Sequence, residues 1–349
     1  MSGDSRLETL RLWLIEDLKI TVRQLEPASA DASFRRYFRV WNAAGETQVV
    51  MDAPPQQEDL AAYLRVSSLL EQCGVHVPHV HAHDLERGLA LLEDLGTRHM
   101  LTALGEGVDA GRLYDQALDE LARLQLAGDA ASRQLPPYDR PTLLREMQLL
   151  PDWYCARHLG LAPDAGQART LAQTFDWLAT EALAQPQVFV HRDYHSRNLM
   201  VTTQRSPGVI DFQDALRGPA GYDLVSILKD CYVDWPRARV VQWVEQFRQR
   251  LIAGGEHGRS LAGDSLPQYL RWFDLIGLQR HIKVLGIFAR LFWRDGKSGY
   301  LADLPRTLQY VRDTAAHYPE LAVFHELVEQ RLAPGLAAAN ERALAAARA

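Results

Sequence analysis

The sequence predicts an α+β chain in two lobes, a small antiparallel-sheet lobe followed by a larger, mainly helical one. Three observations predict it. The chain has 349 residues, more than one ordinary hydrophobic core organises, so two lobes are expected. Its strand-like runs cluster before residue 95, in short groups of alternating or β-branched residues bounded by turn formers. Beyond that point the apolar residues recur mostly at helical spacing. The expected division is 1–95 for the sheet lobe with its hinge, 96–335 for the helical lobe and 336–349 for an Ala-rich tail.

Leu7, Leu10, Leu14 and Leu18 fall on one helical face, which predicts an amphipathic helix over 5–18. Strands follow at 21–25 and 34–41, separated by a small-residue loop at 27–33. A third strand at 47–51 is stopped by Pro54 and Pro55. Leu60, Tyr63, Leu64 and Leu70 mark a helix that Gly74 can end. A further strand at 89–93 runs into Asp94-Leu95-Gly96. In the second lobe Leu113, Ala117, Leu121 and Leu124 repeat at helical spacing, and more helices are expected near 141–158, 166–184, 221–232, 236–252, 266–293 and 303–332. Short strands at 188–190, 199–201 and 209–210 interrupt them. The tail reads as a marginal helix or a frayed end.

With 47% hydrophobic and 23% charged residues the composition is that of a soluble globular protein. A net charge of -6 argues against a general binder of nucleic-acid backbones. Cys73, Cys155 and Cys231 lie far apart and form no C-x-x-C pair, so they read as small apolar residues in a reducing compartment. Asp4, Arg6, Glu8, Arg11, Glu16 and Asp17 interrupt any apolar leader. No apolar run approaches membrane-spanning length. A cytoplasmic location is expected, with no membrane, nucleic acid or obligate protein partner.

The chemistry is concentrated in His191-Arg192-Asp193-Tyr194-His195-Ser196-Arg197-Asn198, followed by Ile210-Asp211-Phe212. Transfer of a phosphoryl group from a nucleotide needs a carboxylate to orient the attacking hydroxyl and oxygen ligands to hold magnesium on the phosphates. Asp193 meets the first need, and Asn198 with Asp211 the second. The spacing is H-R-D-x-x-x-x-N with an Asp shortly after it, that of a kinase catalytic loop. The short strands around it would pin this loop.

These motifs resemble the aminoglycoside phosphotransferase and choline-kinase-like family, relatives of the protein kinases. The likeness covers about 20–310 and includes Leu91-Leu92-Glu93-Asp94-Leu95-Gly96 and Gly218-Pro219-Ala220-Gly221-Tyr222-Asp223-Leu224. Asp31-Ala32-Ser33-Phe34-Arg35-Arg36-Tyr37-Phe38-Arg39, Met51-Asp52-Ala53-Pro54-Pro55, Leu278-Gln279-Arg280-His281 and Gly286-Ile287-Phe288-Ala289-Arg290-Leu291 are similar to the bacterial anomeric kinases of N-acetylmuramate and N-acetylglucosamine. The resemblance implies a bilobal protein-kinase-like fold, ATP as co-substrate and Mg2+ as cofactor. It implies Asp193 as the residue that orients or deprotonates the acceptor, Asn198 and Asp211 as metal ligands, and His191 and Asp223 as supports of the loop. Glu93 and Leu95, in the hinge, would offer backbone groups to adenine.

The sequence departs from the kinase pattern at the phosphates. No G-x-G-x-x-G is present, and small residues around Ser33 take its place. The third strand carries Met51 where a kinase has its phosphate-pairing lysine, and no lysine lies between Lys19 and Lys229. Arg35, Arg36 and Arg39 are the nearest cations, with Glu58 as the nearest partner glutamate. Alternation puts Arg35 and Arg39 on one strand face and Arg36 on the other. At least one should grip phosphate oxygens in the lysine's stead, with Arg35 and Arg36 taken as nucleotide contacts.

For the acceptor, candidates are His195, Arg197 and Gln213 near the loop, and Arg280, His281 and Trp293 from a late helix that also carries Lys283 and Arg290. This basic and aromatic collection favours a sugar bearing an anion, such as the lactyl carboxylate of N-acetylmuramate, over a polycation. The expectation is an amino-sugar 1-kinase acting in cell-wall (peptidoglycan) recycling. The alternatives are a kinase of aminoglycosides, choline or homoserine, with Asp230 and Asp234 as possible acids, or a pseudokinase scaffold.

Overall fold

Five strands, β1 (Gln24–Ala30), β2 (Arg36–Trp41), β3 (Thr47–Asp52), β4 (Val80–Asp84) and β5 (Leu89–Glu93), form a sheet in the computed structural model, which describes residues 4–30 and 34–347. Their order is β1-β2-β3-β5-β4, antiparallel throughout. The helix Ser5–Leu12, capped by the Asp4 carboxylate, runs into a π-helical turn, Trp13–Asp17. Its Leu10, with Trp13 and Leu14, packs on Phe38, Val40, Val50, Leu89 and Leu91 to make the core on one face of the sheet. The helix Leu60–Gln72 is capped by Asp59, whose side chain accepts from the Ala62 N–H at 2.9 Å.

Two parts of the sheet differ from expectation. β1 begins later than residue 21 and continues to Ala30, through part of the expected loop, with an irregular register between Pro27 and Ser29. As an edge strand it tolerates Pro27, which has no N–H to give. β4 is unexpected because only Val80 and Ala82 mark its inner face, between the exposed His81 and His83 on this other edge.

Four short strands follow: β6 (Gln187–Val190), β7 (Leu199–Met200), β8 (Gly208–Val209) and β9 (Leu216–Pro219). β6 pairs with β9, which the sequence does not signal, and β7 with β8. Most expected helices form, among them Ala165–Leu183, Arg237–Ala253 and the 28-residue Leu266–Trp293. The helix expected over 303–332 is interrupted: Leu304–His317 stops before Pro319 and Ala322–Leu327 resumes. The tail carries a helix, Leu336–Ala346. No helix among the described residues is long and apolar enough to cross a membrane.

The contacts divide the chain into two units. One runs to Leu124 and takes back Arg197–Ala215; the other holds Gln125–Ser196 and Leu216–Ala349. The sequence expects a single division at 95. The returning segment belongs to the first unit because Val201 N–H donates to the Arg98 carbonyl (2.8 Å) and Val209 N–H to that of His76 (2.7 Å).

In the second unit the long helix Leu266–Trp293 is buried along most of its length. Gly286 makes this possible, since a Cβ there would fall on the carbonyl carbon and oxygen of Leu149. Gly286→Ala should therefore destabilise the protein by about 1–3 kcal/mol through overpacking. A lowered urea midpoint checks this; an unchanged one would show that the two segments can separate at no cost.

Candidate active site

In the first unit the segment after β8 turns sharply at Asp211, whose φ of 65° is rare for a residue other than glycine. The turn lays the Phe212 ring on Tyr63 of the helix Leu60–Gln72, with centroids 4.8 Å apart. It brings the Asp211 carboxylate to three side chains. Asn198 Nδ2 donates to Oδ2 at 3.4 Å, Gln213 Nε2 to Oδ1 at 2.9 Å and Arg35 Nη2 to Oδ1 at 3.3 Å. Asn198 is held there by the Ile210 N–H, which donates to its carbonyl at 3.0 Å.

Arg35 is the first unit's buried cation, 8% exposed. Besides Asp211 it faces Glu58, with Nε 3.7 Å from Oε2, and Glu58 also accepts from the Phe34 N–H at 2.9 Å. An Arg–Glu pair thus stands beside Asp211, in a chain whose β3 carries the fully buried Met51. Arg36 and Arg39 are engaged elsewhere. Arg36 pairs with Asp52, its cross-strand partner on β3, and with Asp4. The expectation that Arg36 contacts nucleotide gives way to this pairing, because alternation turns it from Arg35 toward the buried Asp52. Arg39 donates to Asp94 at 2.6 and 2.9 Å and to the Gly96 carbonyl at 3.0 Å, fixing the path of the hinge segment. In that segment Glu93 receives the His79 N–H on its carboxylate (3.2 Å), and Leu95 packs against Gly208. Ser33 lies outside the described residues.

The oxygen donors of Asp211 and Asn198 fit a hard divalent cation. Magnesium in nucleotide sites takes one or two carboxylates and completes its shell with phosphate oxygens and water. Among the described residues no group of three or more His, Cys, Asp and Glu is placed to hold a metal ion, and these two donors would leave most of such a shell to phosphate oxygens and water.

The second unit holds the other half of the loop. β6 leads into His191, fully buried, whose N–H donates to Asp223 Oδ2 at 2.7 Å. The Arg192 N–H donates to Asp223 Oδ1 at 3.0 Å, and Arg192 itself has φ 79°. Asp223, on the helix Tyr222–Leu228, thus clamps two successive amides and fixes a strained turn. Burial pushes the Asp223 carboxyl up to about 7, against the pull of those two N–H groups. His191 Nδ1 accepts from the Asp193 N–H at 3.2 Å, a contact within the loop.

Asp193 is half-buried. Burial opposes its charge, but Lys283, His195, Arg192 and Arg280 outweigh it and hold the carboxyl below its ordinary value. Two of these cations meet on one buried carboxylate. Glu146 Oε1 accepts from Arg192 Nη2 (2.5 Å) and pairs with Lys283 Nζ (3.0 Å), and Tyr138 donates to Oε2. Lys283 Nζ also donates to the Tyr222 hydroxyl at 3.2 Å. Sequence reasoning did not find Glu146; its one local signal is a charge beside Leu143 and Met147 on the buried face of the helix Arg140–Met147.

Glu146→Gln leaves Arg192 and Lys283 buried without their anion, which should cost about 3–5 kcal/mol at neutral pH. Burial opposes the Glu146 charge, but the two cations lower its pKa below the ordinary 4.5. The stabilisation is therefore complete above that value and disappears as pH falls through the depressed one. Urea unfolding against pH checks this: the gap between wild type and variant should close in acid, and a gap independent of pH would contradict it.

The remaining candidates fall in different places. His195 sits edge-on to Tyr232, with centroids 5.5 Å apart, and its N–H donates to the Asp193 carbonyl at 3.0 Å. Arg197 is exposed, and its carbonyl receives His99 Nδ1 at 2.6 Å. Arg280 is buried in the middle of the long helix. His281 is not a substrate contact but a core residue. It is fully buried, its ring lies 4.8 Å from Tyr310, and Nε2 donates to the Lys229 carbonyl at 3.0 Å. Trp293 is also removed from the loop's partners on this helix. It lies about 20 Å along the axis from Arg280 and donates through Nε1 to His158 Nδ1 at 3.3 Å. Asp230, a possible aminoglycoside contact, already accepts from the Ser196 N–H (2.9 Å) and hydroxyl (2.5 Å) and from the Tyr232 N–H (3.0 Å).

The profile of the phosphotransferase enzyme family matches residues 24–262. The chain is 44% identical over 342 residues to the N-acetylmuramate/N-acetylglucosamine kinase of Pseudomonas aeruginosa, covering 94% of this chain and 97% of that one. It is 44% identical over 307 residues to the kinase of the same name from Neisseria meningitidis, covering 86% and 88%. Among solved structures, a Plasmodium vivax ethanolamine kinase aligns with a TM-score of 0.60 at 13% identity, over 86% of this chain and 84% of that one. The GDP complex of aminoglycoside 2'-phosphotransferase-IIIa aligns with a TM-score of 0.59 at 15% identity, over 90% and 100%. These structures share the protein-kinase-like fold of the chain.

Proposed function

The chain belongs to the phosphotransferase enzyme family, and on that footing we propose that it is an ATP-dependent kinase of the anomeric hydroxyl of N-acetylmuramate and N-acetylglucosamine. The observation that carries this reading is the near full-length likeness to curated kinases of these two sugars. The geometry supports the reaction class. Asp193 stays ionised because its cationic neighbours outweigh its burial, so it can accept a hydrogen bond from the acceptor hydroxyl and take its proton as the new P–O bond forms. A hemiacetal hydroxyl is more acidic than an ordinary alcohol, so Asp193 need not be a strong base to take its proton. Asp223 keeps the Asp193 backbone in place through the two preceding amides.

In the first unit Asn198 and Asp211 would hold Mg2+, which when bound neutralises charge on the nucleotide phosphates. Arg35 supplies the cation that a kinase takes from its β3 lysine, with Glu58 as its partner. The backbone at Glu93 and Leu95 would receive adenine. Sugar 1-phosphates made in this way are substrates for nucleotidyl transfer, which suits recycling of cell-wall sugars inside the cell. An aminoglycoside acceptor is disfavoured because Asp230 already has three donors.

The test is incubation of the protein with ATP and magnesium against both amino sugars, an aminoglycoside, choline and homoserine. Phosphorus NMR should detect an anomeric phosphate on the amino sugars. Turnover with aminoglycosides alone, or with no acceptor at all, would overturn the reading, the latter in favour of a scaffold.

A further inference from the structure

Arg280 lies in the same unit as Asp193 and is 4% exposed. Among the described residues its guanidinium makes one weak hydrogen bond, from Nη1 to the sulfur of Cys231 at 3.8 Å, and no ion pair. Its Nε is buried without a partner. A guanidinium cannot shed its proton, and burying it without an anion is costly. Other charged side chains of this unit have anionic partners, although Arg290 on the same helix also keeps a buried Nε without one. Lys283 is held by Glu146 and Tyr222, Arg192 by Glu146, and Arg271 by Glu181 and Glu320. Asp193 and Asp230 are close enough to feel the charge of Arg280, but neither forms an ion pair with it, and Asp230 is already supplied with donors. A fixed cation with free donors therefore stands near the reacting carboxylate.

We propose that Arg280 receives the carboxylate of an anionic acceptor, and that on N-acetylmuramate it binds the lactyl group and selects this sugar over N-acetylglucosamine. The inference rests on the kinase reading above and assigns the residue that discriminates its two substrates. The lactyl ether stands on C3, two ring carbons from the anomeric carbon, so its carboxylate falls a few ångströms from the hydroxyl that Asp193 orients. The planar fork of a guanidinium matches a carboxylate in two parallel hydrogen bonds. N-acetylglucosamine offers only a neutral hydroxyl there and leaves the cation unpaired.

The readout is the ratio of kcat/KM for N-acetylmuramate to that for N-acetylglucosamine. Arg280→Gln should lower this ratio roughly tenfold to hundredfold, and Arg280→Lys should restore part of it. A second measurement needs no substitution: the neutral primary amide of the lactyl group, given to the wild-type protein, should have a KM raised by a similar factor. An unchanged ratio in the variant, or an amide used as well as the acid, overturns the proposal and leaves the kinase reading in place. Failure of the wild type to phosphorylate either sugar overturns both.

Discussion

Asp193→Asn lowers kcat by roughly a hundredfold to ten-thousandfold, while nucleotide affinity holds. The asparagine keeps the shape and can still accept a hydrogen bond from the sugar hydroxyl, but it cannot take the proton. The clamp around the position does not depend on the Asp193 side chain, since Asp223 binds the amides of His191 and Arg192. Folding is therefore preserved, and a loss of turnover reads on chemistry. Single-turnover kinetics with N-acetylglucosamine check it. A rate within a few-fold of wild type would remove Asp193 from the reaction and leave phosphoryl transfer to positioning alone.

The second large effect is at Arg35. Arg35→Ala removes the cation between Glu58 and Asp211, leaving two carboxylates facing the nucleotide. A hydrogen bond to a charged group contributes about 1.5–3 kcal/mol, so the KM for ATP should rise roughly tenfold to hundredfold. Arg35→Lys should recover part of the loss, because a point charge replaces the fork without its geometry. Arg36→Ala provides the contrast: it strips the fully buried Asp52 of one of its two arginines, so it should lower the unfolding midpoint more than it alters the KM. Equal effects on KM at both positions would reject the division of labour between these neighbours.

The candidate loop could be proposed from the sequence because its chemistry is contiguous: Asp193 and Asn198 are five positions apart, and Asp211 follows on the next turn of chain. Alternation along β2 separated Arg36 from Arg35 correctly, but it could not say which face met a buried carboxylate. That depended on Asp52, whose register opposite Arg36 is a property of the sheet. Glu146 and Lys283 were harder still. They stand 46 and 90 residues from Arg192 and Asp193, and only packing between helices brings their charges together. His281 and Trp293 misled for the complementary reason. On a helix buried along most of its length, residue type does not reveal which way a side chain points, so a core histidine and a tryptophan at the helix's exposed end both resembled ligands. β4 escaped notice because an exposed edge carries histidines where an inner strand carries valines.

The sheet's apolar cover has a practical consequence for anyone trimming the protein. The family match begins at residue 24 and ends at 262, yet Leu10, Trp13 and Leu14 lie before it and Arg280 and Lys283 after it. A fragment cut to those limits would uncover Phe38, Val40, Val50, Leu89 and Leu91 and invite self-association through the bared face. It would also lose the lysine that counterbalances Glu146. The matched middle is thus a mark of family and not a self-sufficient domain, and insolubility of such a truncation would say nothing against the enzyme's activity.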